Sequence, residues 1–413
     1  MIYIYRFLVN IIILFSPLIL IIRLLQKKED YKRFYEKFTF FSKKRVKGKL
    51  IWFHAVSVGE LLSIIPLIHN LEKDKNIKQI LITTSTLTSA KLFEKYDFSK
   101  TIHQFFPIDN NFFTKRFLKY WKPNLAIFVD SEIWPNMLIN LEKKSITRIL
   151  LNARISQKSF EKWNILGAFS KKLFQIFNHT FPQNLESKKY LSKFGVKKIK
   201  FIGNLKFAQD EMNKNELKQK FKSFIKSKNV WCAVSTHPGE EKVCAEVHLK
   251  LIKKFKNLIL VIIPRHIERV KDITKELSIL EMKQHIHSDN SKINNKTKIY
   301  LVDTYGETKP FFDICKIVFV GKSLKLDGGQ NPLEPARKNC SILHGPKVSN
   351  FREIYNFLDN QKISFAIKNN EEFYNKIVSL MKTRSSSKKI KNKINLIGTK
   401  ILKNNLKEIM YLI

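Results

Sequence analysis

Hydrophobic and polar positions alternate along this chain in two successive series. Short apolar runs, rich in β-branched and aromatic residues, are each followed by a segment with apolar residues at helical spacing. The first series runs from about Leu50 to about Gly203 and contains KLIWFH, QILITTST, HQFFP, LAIFVD, RILLNAR, HTFPQ and KFIGN. The second begins at about Val230 and contains VWCAVST, LILVIIPR, KIYLVDT, KIVFVG, CSILHG and SFAIK. Each series predicts a doubly wound α/β domain with a parallel sheet, and the two domains would face one another across a cleft.

The chain opens on an almost unbroken apolar run from Phe7 to Ile22. Its length is borderline for crossing a bilayer, which takes about 20 residues. Arg23 and several lysines follow it with no small-residue cleavage site, which favours an uncleaved anchor over a signal peptide. The positive-inside rule then keeps the rest of the chain in the cytoplasm. Asn10 and Pro17 leave a helix lying in the membrane interface as an alternative.

With 76 Lys and Arg against 35 Asp and Glu, the 413-residue chain carries a formal net charge of +41. Such charge favours an anionic partner, whether nucleic acid, an acidic membrane surface or a phosphorylated substrate, although many lysines could simply be solvated surface. Residues 29–47 interleave aromatic and basic side chains, which suits a lipid headgroup region or a plain amphipathic helix packed on the first domain. The four cysteines lack metal-site spacing and fit reduced thiols in the cytosol.

These patterns predict three regions. Residues 1–27 form the anchor, residues 28–208 the first Rossmann-like domain, and residues 209–413 the second domain with a basic C-terminal helix. The polar stretch from Gln209 to Lys228 reads as a linker and first helix, and the basic tail beyond about Thr383 as helical.

Charged residues follow several predicted strands of the first domain. Glu60 lies at a strand-to-helix corner after WFHAVSVG, Asp130 and Glu132 follow LAIFV, and Lys206 follows a strand and a glycine. Ligands bind beyond such strand ends in open α/β sheets. Each residue also has a structural interpretation: Glu60 as a first-turn acid, Glu132 as a helix cap, and Lys206 as a solvated lysine.

In the second domain, Pro264 and Arg265 end the most hydrophobic strand, and the loop DTYGE follows the next one. Gly328 and Gly329 then precede Pro332, which we predict at the first position of a helix, where bare N–H groups favour an anion. Glu334 beside them is suited to ribose hydroxyls. The sequence lacks GxGxxG and GxxxxGK[ST], so a dinucleotide oxidoreductase or an NTPase gets little support.

Eight motifs in order resemble those of the 3-deoxy-D-manno-octulosonic acid (Kdo) transferases of lipopolysaccharide assembly. They are WFHAVSVGE, DSEIWPN, NARIS, GNLKF, THPGEE, PRH, DTYGE and GGQNPLEPA, and the similarity extends to about Pro346. The resemblance implies a GT-B glycosyltransferase with two Rossmann-like domains, anchored at the cytoplasmic face of a bacterial inner membrane. It would transfer Kdo from CMP-Kdo to the lipid A precursor with inversion.

The resemblance also implies residue roles. The family's general base matches Glu60, and its transition-state-stabilising positions match Glu132 and Lys206. Its CMP contacts match Pro264, Arg265, Tyr305, Gly306, Glu307, Asn331, Pro332, Leu333 and Glu334. Three positions depart from the family pattern: Gln330 stands in place of histidine, Lys322 in place of glycine, and Tyr305 in place of a small or apolar residue.

No cofactor, no metal and no nucleic acid are implied, and the partners would be CMP-Kdo, the lipid acceptor and the anionic membrane. Two other functions stay open. One is a different GT-B transferase, such as one that uses a UDP-sugar, and the other is a basic membrane-tethered scaffold whose binding is dominated by salt.

Overall fold

A computed structural model describes residues 1–209, 216–382 and 388–413. Parts of the predicted linker from Gln209 and of the basic tail from Thr383 lie outside the described residues. The chain divides into two compact units, Met1–Asp210 with Ile397–Ile413, and Glu211–Leu396.

The first unit contains a six-stranded, fully parallel sheet with the order β3-β2-β1-β4-β5-β6. Its strands are β1 Lys49–His54, β2 Ile77–Thr84, β3 Thr101–Phe105, β4 Leu125–Val129, β5 Thr147–Ala153 and β6 His179–Pro182. Six of the seven apolar runs of the first series therefore form strands, as predicted. The prediction was wrong for KFIGN, where only the preceding Ile199 makes an isolated bridge, to Thr180. Gly203 there has a φ of +119°, which takes the backbone out of strand geometry.

Helices cover both faces of this sheet and bury large aromatic side chains, among them Trp52, Trp121 and Phe128. Such a sheet, apolar on both faces, is the arrangement that continuous apolar runs predict. The helices are α1 Ile2–Leu14, α2 Ser16–Leu25, α3 Val58–Leu71, α4 Leu87–Phe93, α5 Asn111–Trp121, α6 Pro135–Lys143, α7 Gln157–Asn164, α8 Ala168–Gln175 and α9 Leu185–Lys193, with short 3₁₀ turns at Phe34–Phe38 and Leu205–Ala208.

The N-terminal apolar run forms two helices rather than one. Helices α1 and α2 meet at a 55° bend, and no single helix in the described part of the chain is long and apolar enough to cross a membrane, whereas this bent pair passes the test together. The break has a local cause, because Pro17 has no N–H to continue the helical ladder. The Ser16 hydroxyl donates instead to the Ile13 carbonyl at 2.7 Å.

The second unit contains a seven-stranded parallel sheet with the order β13-β12-β11-β7-β8-β10-β9. Its strands are β7 Asn229–Thr236, β8 Leu258–Pro264, β9 Gln284–Ile286, β10 Ile299–Leu301, β11 Ile317–Val320, β12 Ser341–His344 and β13 Ser364–Ala366. All six runs of the second series form strands. The edge strand β9, only three residues long, is the one that the pattern did not predict, because so short a run has no readable period.

Helices also flank this second sheet. They are α10 Gln219–Phe224, α11 Glu240–Lys254, α12 Val270–Ser278, α13 Lys309–Phe312, α14 Leu333–Arg337, α15 Arg352–Asn360, α16 Asn370–Lys382 and α17 Lys388–Tyr411, with a 3₁₀ turn at Ile267–Arg269. The prediction of two Rossmann-like α/β domains is therefore confirmed.

The last part of α17 belongs to the first unit, whereas the sequence pattern assigned the whole C-terminal helix to the second domain. The reason is close packing. A Cβ added to Gly398 would lie 2.1 Å from the Phe207 carbonyl oxygen, and one added to Gly203 would lie 2.8 Å from the Ile401 side chain. Only glycines allow the helix to approach this closely.

Candidate functional site

The strand order of the first sheet reverses between β1 and β4. Strands β2 and β3 lie on one side of β1, and strands β4 to β6 on the other. Ligands of open α/β sheets bind beyond the carboxyl ends of the strands at such a reversal. The loops that follow β1, β4 and β5 carry Glu60, Asp130, Glu132 and Arg154 at this place.

Glu60 lies in the first turn of α3, whose N-cap is Ser57. The Ser57 hydroxyl donates to Glu60 Oε1 at 2.7 Å, and Val56 N donates to Oε2 at 2.8 Å. Glu60 N in turn donates to Ser57 Oγ at 3.3 Å, so the Ser57 side chain caps the helix. The first-turn role predicted as an alternative is therefore present, and these hydrogen bonds fix the orientation of the carboxylate.

The environment of Glu60 raises its pKa to about 7. Burial is the largest cause, because it penalises the charged carboxylate, and the negative charges of Asp130 and Glu132 add to it. The hydrogen bonds from Ser57 and Val56 oppose this rise without cancelling it. A carboxyl group that titrates near neutral pH has the property that a general base requires.

Two cations lie among these carboxylates. Arg154 Nε donates to Asp130 Oδ1 at 2.9 Å, and Asp130 has the largest effect on the Arg154 pKa, which it raises. Lys206 is 9 % exposed, and burial lowers its pKa while Asp130 and Glu60 oppose the change. The structure thus places the predicted residues Glu60, Glu132 and Lys206 within one electrostatic cluster, and it adds Arg154. Lys206 is not the solvated lysine that we set beside the catalytic interpretation.

Aspartate and asparagine residues shape the backbone around this cluster. Asp130 and Asn152 have φ values of +65° and +51°, in the left-handed region that Asp and Asn adopt more readily than other residues with a Cβ. The Asn152 side chain accepts a hydrogen bond from Leu205 N at 2.9 Å, and the Asn204 side chain accepts one from Lys206 N at 3.0 Å. Two asparagine side chains therefore position the backbone of the turn that carries Lys206.

His54 is a residue of this site that the sequence interpretation missed. Its imidazole is fully buried and stacks on Phe106, with the ring centroids 3.8 Å apart. Nδ1 lies 3.0 Å from Thr83 Oγ1, and Nε2 lies 3.6 Å from Glu132 Oε2, with no hydrogen-bond partner among the described residues. Trp134 Nε1 donates to the same Glu132 oxygen at 2.8 Å. A histidine at the last position of a strand that ends in a cluster of acids was the available signal.

In the second unit, Glu240 organises the carboxyl edge of the sheet. Its fully buried carboxylate accepts hydrogen bonds from the backbone N–H groups of His237, Lys322, Ser323 and Leu324, at 2.8 to 3.0 Å. Four such donors replace the water that a buried carboxylate loses. Glu240 therefore ties the loop after β7 to the loop after β11.

Lys322, where the family pattern has glycine, has a φ of +57°. Left-handed backbone costs a residue with a Cβ about 1–2 kcal/mol, which glycine avoids. We therefore expect Lys322→Gly to raise the melting temperature by ~1–3 °C, after the greater entropy of glycine in the unfolded chain is counted. Thermal melting of the variant beside Lys325→Gly, in the exposed part of the same loop, checks this. A loss of stability in Lys322→Gly would show that the lysine side chain itself stabilises the loop.

The predicted donor-binding residues of the second unit lie at its strand ends. The Arg265 side chain is exposed directly after β8. Its backbone N–H donates to the Thr236 carbonyl at 3.1 Å. The Tyr305 hydroxyl donates to Glu268 at 3.2 Å, and Gly306 has a φ of +83°. Glu307 accepts from the Thr304 hydroxyl at 2.9 Å and lies 2.6 Å from Nε2 of the buried His287. The Glu307 carboxylate is thus already engaged within the unit.

The segment Asn331–Glu334 is the turn into α14. Pro332 is the N-cap rather than the first helical residue, and the helix Leu333–Arg337 has only five residues. The Asn331 side chain accepts from Leu333 N at 3.1 Å, so one of the first N–H groups is already bonded. Gly329 has a φ of +67°, and its N–H donates to the Lys322 carbonyl at 2.7 Å. An anion at this helix start would therefore have one N–H donor fewer than the sequence predicts.

No group of three or more His, Cys, Asp or Glu side chains with the geometry of a metal site occurs in residues 1–209, 216–382 and 388–413. The four cysteines are buried thiols.

Comparison with known proteins assigns the family. Residues 32–209 match the family described as 3-deoxy-D-manno-octulosonic-acid transferase (kdotransferase). The 3-deoxy-D-manno-octulosonic acid transferase of Rickettsia bellii is 34 % identical over 390 residues, which cover 94 % of this chain and 92 % of that protein. The chain belongs to the Kdo transferase family. The protein of the same name from Haemophilus influenzae is 32 % identical, over 75 % of this chain and 73 % of the relative. The predicted resemblance is confirmed, and the protein is a glycosyltransferase.

Solved structures agree on the fold. A glycosyltransferase from Rickettsia africae superposes with a TM-score of 0.58 at 14 % identity, covering 89 % of this chain and 99 % of that one. A UDP-N-acetylglucosamine 2-epimerase from Listeria monocytogenes gives a TM-score of 0.64 at 12 % identity, covering 87 % and 95 %. These likenesses support the GT-B fold.

Proposed function

We propose that this Kdo transferase family member moves Kdo from CMP-Kdo to the lipid A precursor lipid IVA, with inversion at the anomeric carbon and without a metal ion. The observation that carries the proposal is the charged cluster at the strand reversal of the first unit. It combines a carboxylate with a pKa of about 7 and two buried or half-buried cations in a chain of this family.

In this mechanism Glu60 is the general base. It removes the proton from the acceptor hydroxyl as that oxygen attacks the anomeric carbon from the side opposite CMP. Glu132 and Lys206 stabilise the transition state. Buried Lys206 faces the negative charge that develops as the bond to the phosphate breaks, and low local polarity makes that interaction stronger than it would be in water.

The second unit is proposed to hold CMP. Arg265 is exposed at the end of β8 and offers paired donors to the phosphate. The backbone of Tyr305, Gly306 and Glu307 and the turn formed by Asn331, Pro332, Leu333 and Glu334 contact the rest of the nucleotide, with Pro264 beside Arg265. The Glu334 carboxylate is assigned to the ribose hydroxyls.

The bent pair α1 and α2 is proposed as the membrane attachment, at the cytoplasmic face of the bacterial inner membrane. Its exposed side chains are almost all apolar, including Phe7, Leu14, Phe15 and Leu18, which are 56 to 76 % exposed. A surface of this kind is stable when it is buried in lipid. The bent pair fits either a broken span or a helix that lies in the membrane interface.

Incubation of the full chain with CMP-Kdo and lipid IVA, in the presence of EDTA, tests the function. Mass spectrometry of the product should show the acceptor mass increased by one or more Kdo residues. UDP-sugars in place of CMP-Kdo should give no product. Turnover with a UDP-sugar alone, or salt-dependent binding with no turnover of either donor, would overturn the proposal.

His54 is proposed as a positioning residue for Glu132. In the tautomer with its proton on Nε2, the imidazole N–H points to the Glu132 carboxylate, which also accepts the hydrogen bond from Trp134 Nε1. We expect His54→Phe, which keeps the ring packing, to lower kcat roughly 10-fold with little change in KM, because a misdirected charge near the reacting atoms is costly.

The pH profile separates this role from simple packing. Without the imidazole N–H, more negative charge on Glu132 is felt at Glu60, so the rising limb of kcat should move to higher pH. His69→Phe, a histidine of α3 that contacts Tyr96 and Phe98, serves as the control. If the rising limb of kcat does not shift in His54→Phe, His54 contributes only to packing.

A further inference from the structure

A cavity of about 760 Å³ opens on the outer face of α5 in the first unit. We call it the α5 pocket, and it is lined by Phe41, Phe112, Lys115, Arg116, Lys119 and Tyr120. Helix α5 buries Phe117, Leu118 and Trp121 against the sheet, so its opposite face is available to line the pocket. No residue of the charged cluster around Glu60 lines it, and the proposed reaction does not use it.

The charged part of this lining is entirely cationic. Lys115 and Lys119 are one helical turn apart, Arg116 lies beside them, and all three are exposed. No acidic side chain pairs with any of the three in the part of the chain that the structure describes. Solvated lysines on a helix are common, but these three converge on one cavity. Their charges repel one another unless an anion is present.

The floor of the α5 pocket is aromatic. The Phe41 ring stacks on Tyr120 with the centroids 3.9 Å apart and the planes 6° apart, and the Arg116 guanidinium lies 5.2 Å from the Phe40 ring centroid. The Tyr120 hydroxyl donates to the Lys43 carbonyl at 2.8 Å, which fixes the floor to the chain before β1. Phe112 at the rim is 64 % exposed. Cations and aromatic rings that line one cavity suit a ligand that has both a negative charge and an apolar part.

Helix α1 is bonded to the first residues of the segment that carries the pocket. Arg6 of α1 donates to the Asn111 side chain at 3.2 Å, and the Asn110 side chain donates to that of Asn10 at 2.8 Å. Phe112 directly follows these two asparagines. Hydrogen bonds therefore hold α1 beside the N-terminal end of α5, where Phe112 lines the pocket.

We propose that the α5 pocket binds the phosphate headgroup of an anionic phospholipid in the bilayer that α1 and α2 enter. Lys115, Arg116 and Lys119 contact the phosphate, while Phe112 lies among the upper acyl carbons. Aromatic and basic side chains occupy these depths at membrane interfaces. The inference rests on the membrane attachment within the proposed function, and it adds a lipid site on the first unit that is separate from the site of transfer.

Co-sedimentation of the full chain with vesicles tests it, using phosphatidylcholine alone and phosphatidylcholine mixed with phosphatidylglycerol. The variant carries Lys115→Gln, Arg116→Gln and Lys119→Gln. The control carries Lys171→Gln, Lys188→Gln and Lys189→Gln, which remove the same charge from exposed positions of α8 and α9. We expect the pocket variant to lose at least ~10-fold in its partition coefficient on anionic vesicles, because each basic residue near the surface contributes separately. The control should lose less than about 3-fold, since its lysines feel only the screened field of the membrane.

Equal losses in the two variants would overturn the proposal, since they would show attraction to net charge alone. A second outcome would also overturn the proposal. Inorganic phosphate would release the wild type from anionic vesicles, and sodium chloride of the same ionic strength would not. That result would identify a site for free phosphate. Binding is measured without CMP-Kdo, so this result is independent of the transferase assay. Unchanged transfer by the pocket variant to lipid IVA in detergent would show that its fold and reaction are intact.

Discussion

Replacing Glu60 by Gln is expected to lower kcat by at least ~100-fold while the affinity for CMP-Kdo changes little, because only proton removal in the transition state is lost. The substitution is nearly isosteric. The amide oxygen can still accept the hydrogen bond from Val56 N that the carboxylate accepts at 2.8 Å, so the first turn of α3 should keep its shape. Steady-state kinetics with CMP-Kdo and lipid IVA, together with CMP-Kdo binding by calorimetry, measure the two quantities.

The pH dependence gives the same prediction a second, independent measurement. With a folded-state pKa of about 7, Glu60 is half ionised near neutral pH, so wild-type kcat should rise through pH 7 and this limb should be absent in Glu60→Gln. Stability should move in the opposite direction. A carboxyl whose pKa is raised on folding stabilises the fold below its ordinary value of 4.5, and that contribution is lost as the pH rises through about 7.

Glu60→Gln should therefore melt at or above the wild-type temperature at pH 8. Glu72→Gln, at the C-cap of the same helix, is the control and should leave kcat unchanged. Near-wild-type turnover by Glu60→Gln would remove Glu60 from the role of base. A variant that is both inactive and less stable at pH 8 would point instead to the hydrogen bonds that join Glu60 to Ser57 and Val56.

The pattern of apolar runs predicted both sheets, because a parallel strand that is buried on both faces has a continuous apolar sequence. The misjudged segments have local causes. KFIGN contains Gly203, whose backbone geometry leaves the extended region, and β9 is too short to show a period. The bend between α1 and α2 was present in the sequence as Pro17, although hydropathy alone favours one helix. The attachment of residues after Ile397 to the first unit depends on two close glycine contacts that no periodicity encodes.

The part of the candidate site that could be predicted is the set of acidic residues near strand ends. Asp130 and Glu132 follow β4, and Glu60 lies in the first turn of the helix after β1, so their proximity follows from the topology of the sheet. Their energetics could not be predicted in the same way. The raised pKa of Glu60 results from burial and from carboxylates about 70 residues away, and the burial of Lys206 results from a turn held by two asparagine side chains. His54 was missed because a histidine inside an apolar run reads as part of the strand.

Replacing Glu240 by Ala is expected to destabilise the second unit by roughly 3–5 kcal/mol, because a buried donor that loses its acceptor costs about 1–3 kcal/mol and several donors lose theirs. The fully buried carboxylate accepts hydrogen bonds from four backbone N–H groups, and alanine removes the acceptor of all four. Glutamine does not restore all four hydrogen bonds. Its amide oxygen can replace Oε1, which accepts from Ser323 N and Leu324 N. Its NH₂ group would then face the N–H groups of His237 and Lys322, which are also donors. We expect a fall of roughly 10 °C in the melting temperature of Glu240→Ala and a smaller fall for Glu240→Gln.

The same carboxylate links the energetics of this unit to its proposed function, since the residues it holds, from Lys322 to Leu324, begin the loop that continues to Gly329 and the turn at Pro332. Loss of Glu240 should therefore weaken CMP binding at least ~10-fold, even at temperatures where the variant is folded, because a mobile loop must be ordered on binding. Calorimetry with CMP and hydrogen exchange at the amides of Lys322, Ser323 and Leu324 measure both effects. Glu246→Ala, in the same helix with one hydrogen bond from Asn370 at 3.0 Å, should change neither by much. Protected loop amides in Glu240→Ala would mean that the turn is held by its own glycines and by Gly345, whose N–H donates to Ser323 Oγ, and not by the buried charge.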